Sequence, residues 1–174
     1  MTEQTYWTKL TKIGWLKYVP KQLHAEIRDR FKKGFKSSPD WVHLALNQTA
    51  LDSECIDGPE SYCELLKNLA KDSNDIFQPT QIKAEMVKKG RTTSISVSFR
   101  HKGKVFSCVV PFETDWFEQG VLDVVNHALE ASGREERFIV LPTNDQLMFL
   151  VIVPPAVYDK AVESGLIPAD EMFE

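Results

Sequence analysis

The chain has 174 residues, 43% of them hydrophobic and 26% charged, with a formal net charge of −4. Those values describe an ordinary globular chain long enough for one domain with a sizeable core, and they give no general case for a nucleic-acid binder. The charge is uneven: residues 1–50 hold nine Lys/Arg against four Asp/Glu, leaving twelve against twenty-one in the rest.

Residues 1–18 interleave Tyr6, Trp7, Trp15 and Tyr18 with lysines at no clean period, so their structure is left open as a peripheral segment. Aromatics of this kind most often pack across a core, although aromatic and basic residues together can also stack nucleobases. Pro20 to Gly34 predicts a helix, with Pro at its start, Gly at its end and Leu23, Ile27 and Phe31 as an i, i+4 seam. Arg28, Arg30, Lys32 and Lys33 crowd its second half, where cations favour the helix dipole and make a solvated basic face. Ser37–Asp40 reads as a loop, and Val42, Leu44 and Leu46 alternate as a short strand. Asp52–Gly58 fails as a calcium loop, because its carboxylate spacing breaks after Glu54 and its twelfth position is Cys63. It reads instead as an acidic linker before a helix from Pro59 to Lys71, which would bury Tyr62, Leu65, Leu66 and Leu69 and a thiol, Cys63.

Gln81 to Phe112 predicts a three-stranded antiparallel meander. Ile82, Ala84 and Met86 mark its first strand. Thr93, Ile95, Val97 and Phe99 alternate with Ser94, Ser96 and Ser98 in the second, giving one apolar and one wetter face. Val105 to Val110 forms the third, ended by Pro111. Gly90 and Gly103 supply the positive φ that tight hairpin turns need. Asp115 and Glu118 then resemble a capping box for a helix carrying Phe117, Val121, Val124, Val125, Ala128 and Leu129 on one face, stopped by Gly133. Phe138–Leu141 is a short strand and Pro142–Asp145 a turn. Gln146–Val153 is a strand apolar on both faces, which belongs in the middle of a sheet covered by helices. Pro154-Pro155 stops it and starts a last helix, Ala156–Ser164, with Val157, Ala161 and Val162 inward and Gly165 at its end. Residues 170–174 form a frayed tail. The expected fold is therefore α+β: a single domain over 1–174, its mostly antiparallel sheet (a meander plus a C-terminal strand pair) covered by helices.

Chemistry is sparse. His24, His43, His101 and His127 do not stand at zinc-ligand spacing. His101 reads as a turn residue whose pKa the neighbouring Arg100 and Lys102 would lower. The GxSxG, GxxxxGK[ST] and GxGxxG signatures do not occur, and no cofactor is expected. Three cysteines without CxxC spacing, a polar Met1–Lys9 and a longest apolar run of seven residues point to a cytoplasmic chain with no membrane span. The leading expectation is a non-catalytic module that binds another protein, as an inhibitor or toxin-neutralising immunity protein does. Its candidate surface is Ser94, Ser96 and Ser98 together with Trp116, which sits one residue off the helix seam and either contacts a partner or covers the meander's edge. One alternative is a small-ligand binder or uncommon enzyme with a site between sheet and helices, using His101 or Glu113, Asp115 and Glu118. The other is nucleic-acid binding through the basic N-terminal region.

Overall fold

The computed structural model describes residues 3–32, 50–142 and 146–168. In chain order they form α1 (Glu3–Ile13), short 3-10 turns at Trp15–Lys17 and Lys21–Leu23, α2 (His24–Lys32), β1 (Ala50–Asp52), α3 (Pro59–Asp72), β2 (Pro79–Lys89), β3 (Thr92–His101), β4 (Lys104–Pro111), α4 (Gln119–Ala131), β5 (Arg137–Leu141), β6 (Leu147–Val153) and α5 (Pro155–Glu163). The fold is α+β with antiparallel pairing throughout these strands. The strand expected over Trp41–Leu46, His43 and the tail from Asp170 lie outside the described residues.

The strands form two three-stranded sheets, β1-β6-β5 and β2-β3-β4, rather than one. β6 is the middle strand of the first, as its two apolar faces demand. Successive side chains point to opposite faces, so Leu150 and Ile152 enter one core cluster while Val151 and Val153 enter the other. Both faces are therefore covered. The first cluster joins Leu150, Ile152 and Phe138 to α3, α4 and the meander; the second joins Val151, Val153 and Leu141 to Tyr6, Leu10, Trp15, Ile27 and Ala161. The N-terminal aromatics are thus core residues: Tyr6 and Trp15 are buried, and α1 covers the sheet with α2 and α5. Gly14 at φ +83 breaks the helix between Leu10 and Trp15, which is why no single period runs through residues 1–18. Trp7 is half-buried, and the Arg28 guanidinium lies 4.2 Å from its ring centroid, so this aromatic already faces a cation of its own chain.

The second sheet is the meander. β2 is longer than expected and begins at Pro79, and a bulge between Thr80 and Lys83 carries Gln81 at φ +51. The β3–β4 turn places Lys102 at φ +47 and Gly103 at φ +82, the double positive φ of a type I′ hairpin. That turn sets His101 opposite Lys104 and fixes the register without a shift as far as Ser94 opposite Pro111. α3 and α4 pack on the face holding Ile95, Val97 and Phe99. Gly120 permits the close approach of α4 to β4, since a Cβ there would stand 3.3 Å from Val110 Cγ1.

α4 starts later than the capping-box reading predicts. Glu118 is its N-cap without a side-chain bond, and Trp116 and Phe117 precede the helix. The residues expected to open it are taken by long-range backbone bonds: Ile56 N–H donates to Asp115 O at 2.9 Å and Phe117 N–H to Ser53 O at 2.7 Å. Two such bonds, each worth about 1 kcal/mol net, outweigh a cap worth about 1 kcal/mol. Cys63 is likewise only half-buried, at the border of the α3 seam rather than inside it.

Candidate interaction surface

Pairing places Ser94, Ser96 and Ser98 on the meander face opposite α3 and α4. Across β3 from them stand Val87, Glu85 and Lys83 of β2 and Pro111, Val109 and Ser107 of β4. Val105 extends this face beside Arg100. The described elements that pack on the meander lie on its other side, and the valines of this face are exposed, Val105 to 63% and Val109 to 65%. The serines are half-exposed, and their hydroxyls make no hydrogen bond to a described residue. The result is a pleated face with small hydroxyl side chains along the centre, valines along β4, and Lys83 and Glu85 on the opposite strand. A surface of this kind presents apolar area and adaptable polar groups with little side-chain entropy to lose.

Trp116 is not on that face. It lies in the β4–α4 connection and is 48% exposed. Its neighbours are fixed by the Asp115 and Phe117 backbone bonds, and Glu118 N–H donates to Tyr62 Oη at 3.2 Å. An exposed indole between clamped backbone positions has little backbone freedom left to lose on contact. The sequence brought the three serines together but missed Val87, Val105 and Val109. Counting pairs outward from the Lys102-Gly103 turn would have found the β4 valines, because it sets Val109 opposite Ser96 and Val105 opposite Arg100.

His101 and the carboxylates from Glu113 to Glu118 stand at opposite ends of the β3–β4 ladder. His101 is the last residue of β3, not a turn residue, and is 1% exposed. Gln78 N–H donates to its Nδ1 at 3.3 Å, which requires that nitrogen to be unprotonated. Nε2–H then donates to Ser132 Oγ at 3.3 Å, and Ser132 Oγ–H donates to Leu129 O at 2.8 Å. Both ring nitrogens are spent on tying the strand end to the α3–β2 loop and the C-terminus of α4. Its pKa is pushed below the ordinary histidine value, but chiefly by burial, with the Lys102 charge a lesser contributor. Glu113 and Asp115 are exposed, and Asp115 O is a backbone acceptor for Ile56. The Cys55 thiol is exposed, and its hydrogen bond to Asp52, followed by slight desolvation and the charges of Asp52, Asp57 and Asp115, pushes its pKa up, the wrong direction for a nucleophile. Burial raises the Cys108 thiol in the same way. Among the described residues, no group of three or more His, Cys, Asp or Glu side chains is placed to hold a metal ion.

A basic groove of about 440 Å³ runs between α1 and α5, lined by Lys9, Lys12, Ile13, Lys160, Glu163 and Ser164. Lys9 Nζ donates to Ser164 O at 2.6 Å, so this lysine caps the carbonyl end of α5, where a cation is favoured by the helix dipole. No helix among the described residues is long and apolar enough to cross a membrane. No family model, curated protein or solved structure matches the chain.

Proposed function

We propose that this protein is a non-catalytic binding module that takes another protein on the open face of the meander, with Ser94, Ser96, Ser98, Val105 and Val109 as the contact and Trp116 as an anchor beside it. The observation that carries the reading is the exposure of Val105 and Val109, at 63% and 65%, on a sheet face whose centre is all serine. Exposed apolar side chains grouped on one face, with charge kept to the margin, match the make-up of an interface core and its rim. His101 supports it from the other side, since the best-placed titratable group of the sequence is fully engaged in holding the fold.

The test is a comparison of three baits in native extract: the unaltered chain, Ser96→Lys on the open face, and Lys9→Glu in the α1–α5 groove. A protein retained by the unaltered and Lys9→Glu baits and lost by Ser96→Lys is the expected result. Retention that ignores Ser96→Lys, or loss only with Lys9→Glu, overturns the assignment of this face. Lysine is the better probe than glutamate, because Glu85 stands directly across from Ser96 and would repel a second carboxylate.

A further inference from the structure

We infer that the outer edge of β4 pairs with the same edge of a second copy, antiparallel about a two-fold axis through Ser107. The backbone geometry comes first. The two-residue turn makes His101 and Lys104 a bonded pair, and Phe112 N–H donates to Thr93 O at 3.0 Å. In an antiparallel ladder bonded and non-bonded pairs alternate, so the even-numbered residues of β4 address β3. Val105, Ser107 and Val109 therefore direct their N–H and C=O groups away from the sheet, where none has a partner among the described residues.

This edge also differs from the others in how it is guarded. Sheet edges that must not pair are kept short, charged, bulged or covered. β2 has its bulge at Thr80–Lys83 and the charges of Lys83, Glu85, Lys88 and Lys89. β1 is three residues long. β5 is plugged by one side chain: Asn126 Oδ1 accepts from Phe138 N–H at 2.8 Å while Asn126 Nδ2 donates to Phe138 O at 2.9 Å. Among the described residues β4 has none of these devices between Val105 and Val110: it is straight in register and uncharged, and Pro111 only closes its far end.

A second copy is the occupant because the edge is its own complement. Reversed about Ser107, the outward residues Val105, Ser107 and Val109 read the same, so Val105 of each copy meets Val109 of the other and Ser107 meets Ser107, as an isologous contact requires. All three outward residues have the N–H that the ladder needs, and Pro111, which lacks one, falls opposite Gly103 in the turn. The ends match in charge as well. The Lys102–Lys104 turn of one copy comes beside the exposed Glu113 of the other. The product is one continuous meander sheet of doubled width. This pairing does not depend on the open face binding another protein; it uses the backbone edge and leaves the serine face free.

Sedimentation of the full chain across a concentration series, with amide exchange read residue by residue, tests the pairing. A species of twice the 19.9 kDa chain is expected, in which the Val105, Ser107 and Val109 amides exchange as slowly as those of Phe106 and Cys108. The double variant Val105→Lys/Val109→Lys sets like charges against each other at both ends and should sediment as a single chain. Val105→Lys/Val109→Glu restores opposite charges in the same register and should recover the double mass. A single-chain mass at every concentration overturns the inference. So does a dimer that survives the Lys/Lys variant or leaves those three amides fast, since it would be built elsewhere.

Discussion

The two sheets of this molecule solve the same problem differently. The β1-β6-β5 sheet is covered on both faces: alternate residues of β6 divide between two core clusters, and Asn126 occupies the backbone of β5. Among the described residues the meander is covered on one face, and no strand pairs with its β4 edge. Coverage tracks composition. Seven consecutive apolar residues in β6 would be an aggregation hazard if exposed, so helices lie on both sides. Alternation of serine with Ile95, Val97 and Phe99 lets one meander face remain in water at little cost. Both sheets therefore feed the first core cluster, the meander through Ile95, Val97, Phe99, Phe106 and Val110, but only the meander keeps a second face in water.

The sharpest way to break this contrast is to truncate one residue in each sheet. Leu150 is fully buried in β6, and Leu150→Ala should cost about 2–5 kcal/mol, through lost burial and the cavity left behind. Val109→Ala on the open face should change stability by no more than about 0.5 kcal/mol. Urea titration of both variants checks the pair. Equal losses would mean that the meander face is covered in solution.

Asn126 comes next. Asn126→Ala leaves both the N–H and C=O of the buried Phe138 without their partner and should cost about 1–3 kcal/mol. Faster amide exchange at Phe138 should accompany the loss, with the β3 amides unchanged. If the closed sheet tolerates the substitution without either effect, the plug is not what protects its edge.

Which parts of this arrangement were readable in the sequence follows from range. The β6 run, the meander with its glycine turns, and the buried seams of α3 and of α4 from Val121 onward depend on periodicity within a single element, and these are present. The division into two sheets depends on strand partners far apart in the chain, such as Ala50 opposite Phe149, and no local pattern encodes it. The same holds for the start of α4, which Ser53 and Ile56 decide from across the fold. Of the candidate surface, the serines were visible through alternation, whereas the exposed valines required the register of β4. Trp116 was legible only as a residue off the helix seam; its exposure follows from the clamped connection that replaces the first helical turn.

His101 sits where the open sheet meets α4 and gives the contrast a pH dependence. Its folded pKa lies below the value of about 6.5 expected in the unfolded chain, so the unfolded chain binds a proton first as pH falls. The stability contributed by neutral His101 is fully present above about pH 6.5 and is lost as pH drops from there through the folded pKa. Urea midpoints measured between pH 7.5 and 5.5 should fall with pH for the unaltered chain. His101→Gln, which cannot titrate, should be less stable at pH 7.5 and show a flatter profile. An unchanged slope would assign the dependence to another group.

The smallest effect is the most specific to the open face. Glu85 lies directly opposite Ser96 in the β2–β3 ladder. Ser96→Glu places two carboxylates across from each other, and Ser96→Lys places an ion pair there; cross-strand pairs of this type differ by about 0.2–1 kcal/mol. Both variants should fold, with Ser96→Lys the more stable, and added salt should narrow the gap by screening exposed charges. Thermal unfolding at low and high ionic strength reads the difference directly. A large loss with both substitutions would place Ser96 against another part of the protein and close the face on which the binding proposal rests. A small, salt-sensitive difference is the behaviour of a cross-strand pair in water, and it leaves Ser96→Lys as a folded probe whose loss of partner binding can be read without correction for stability.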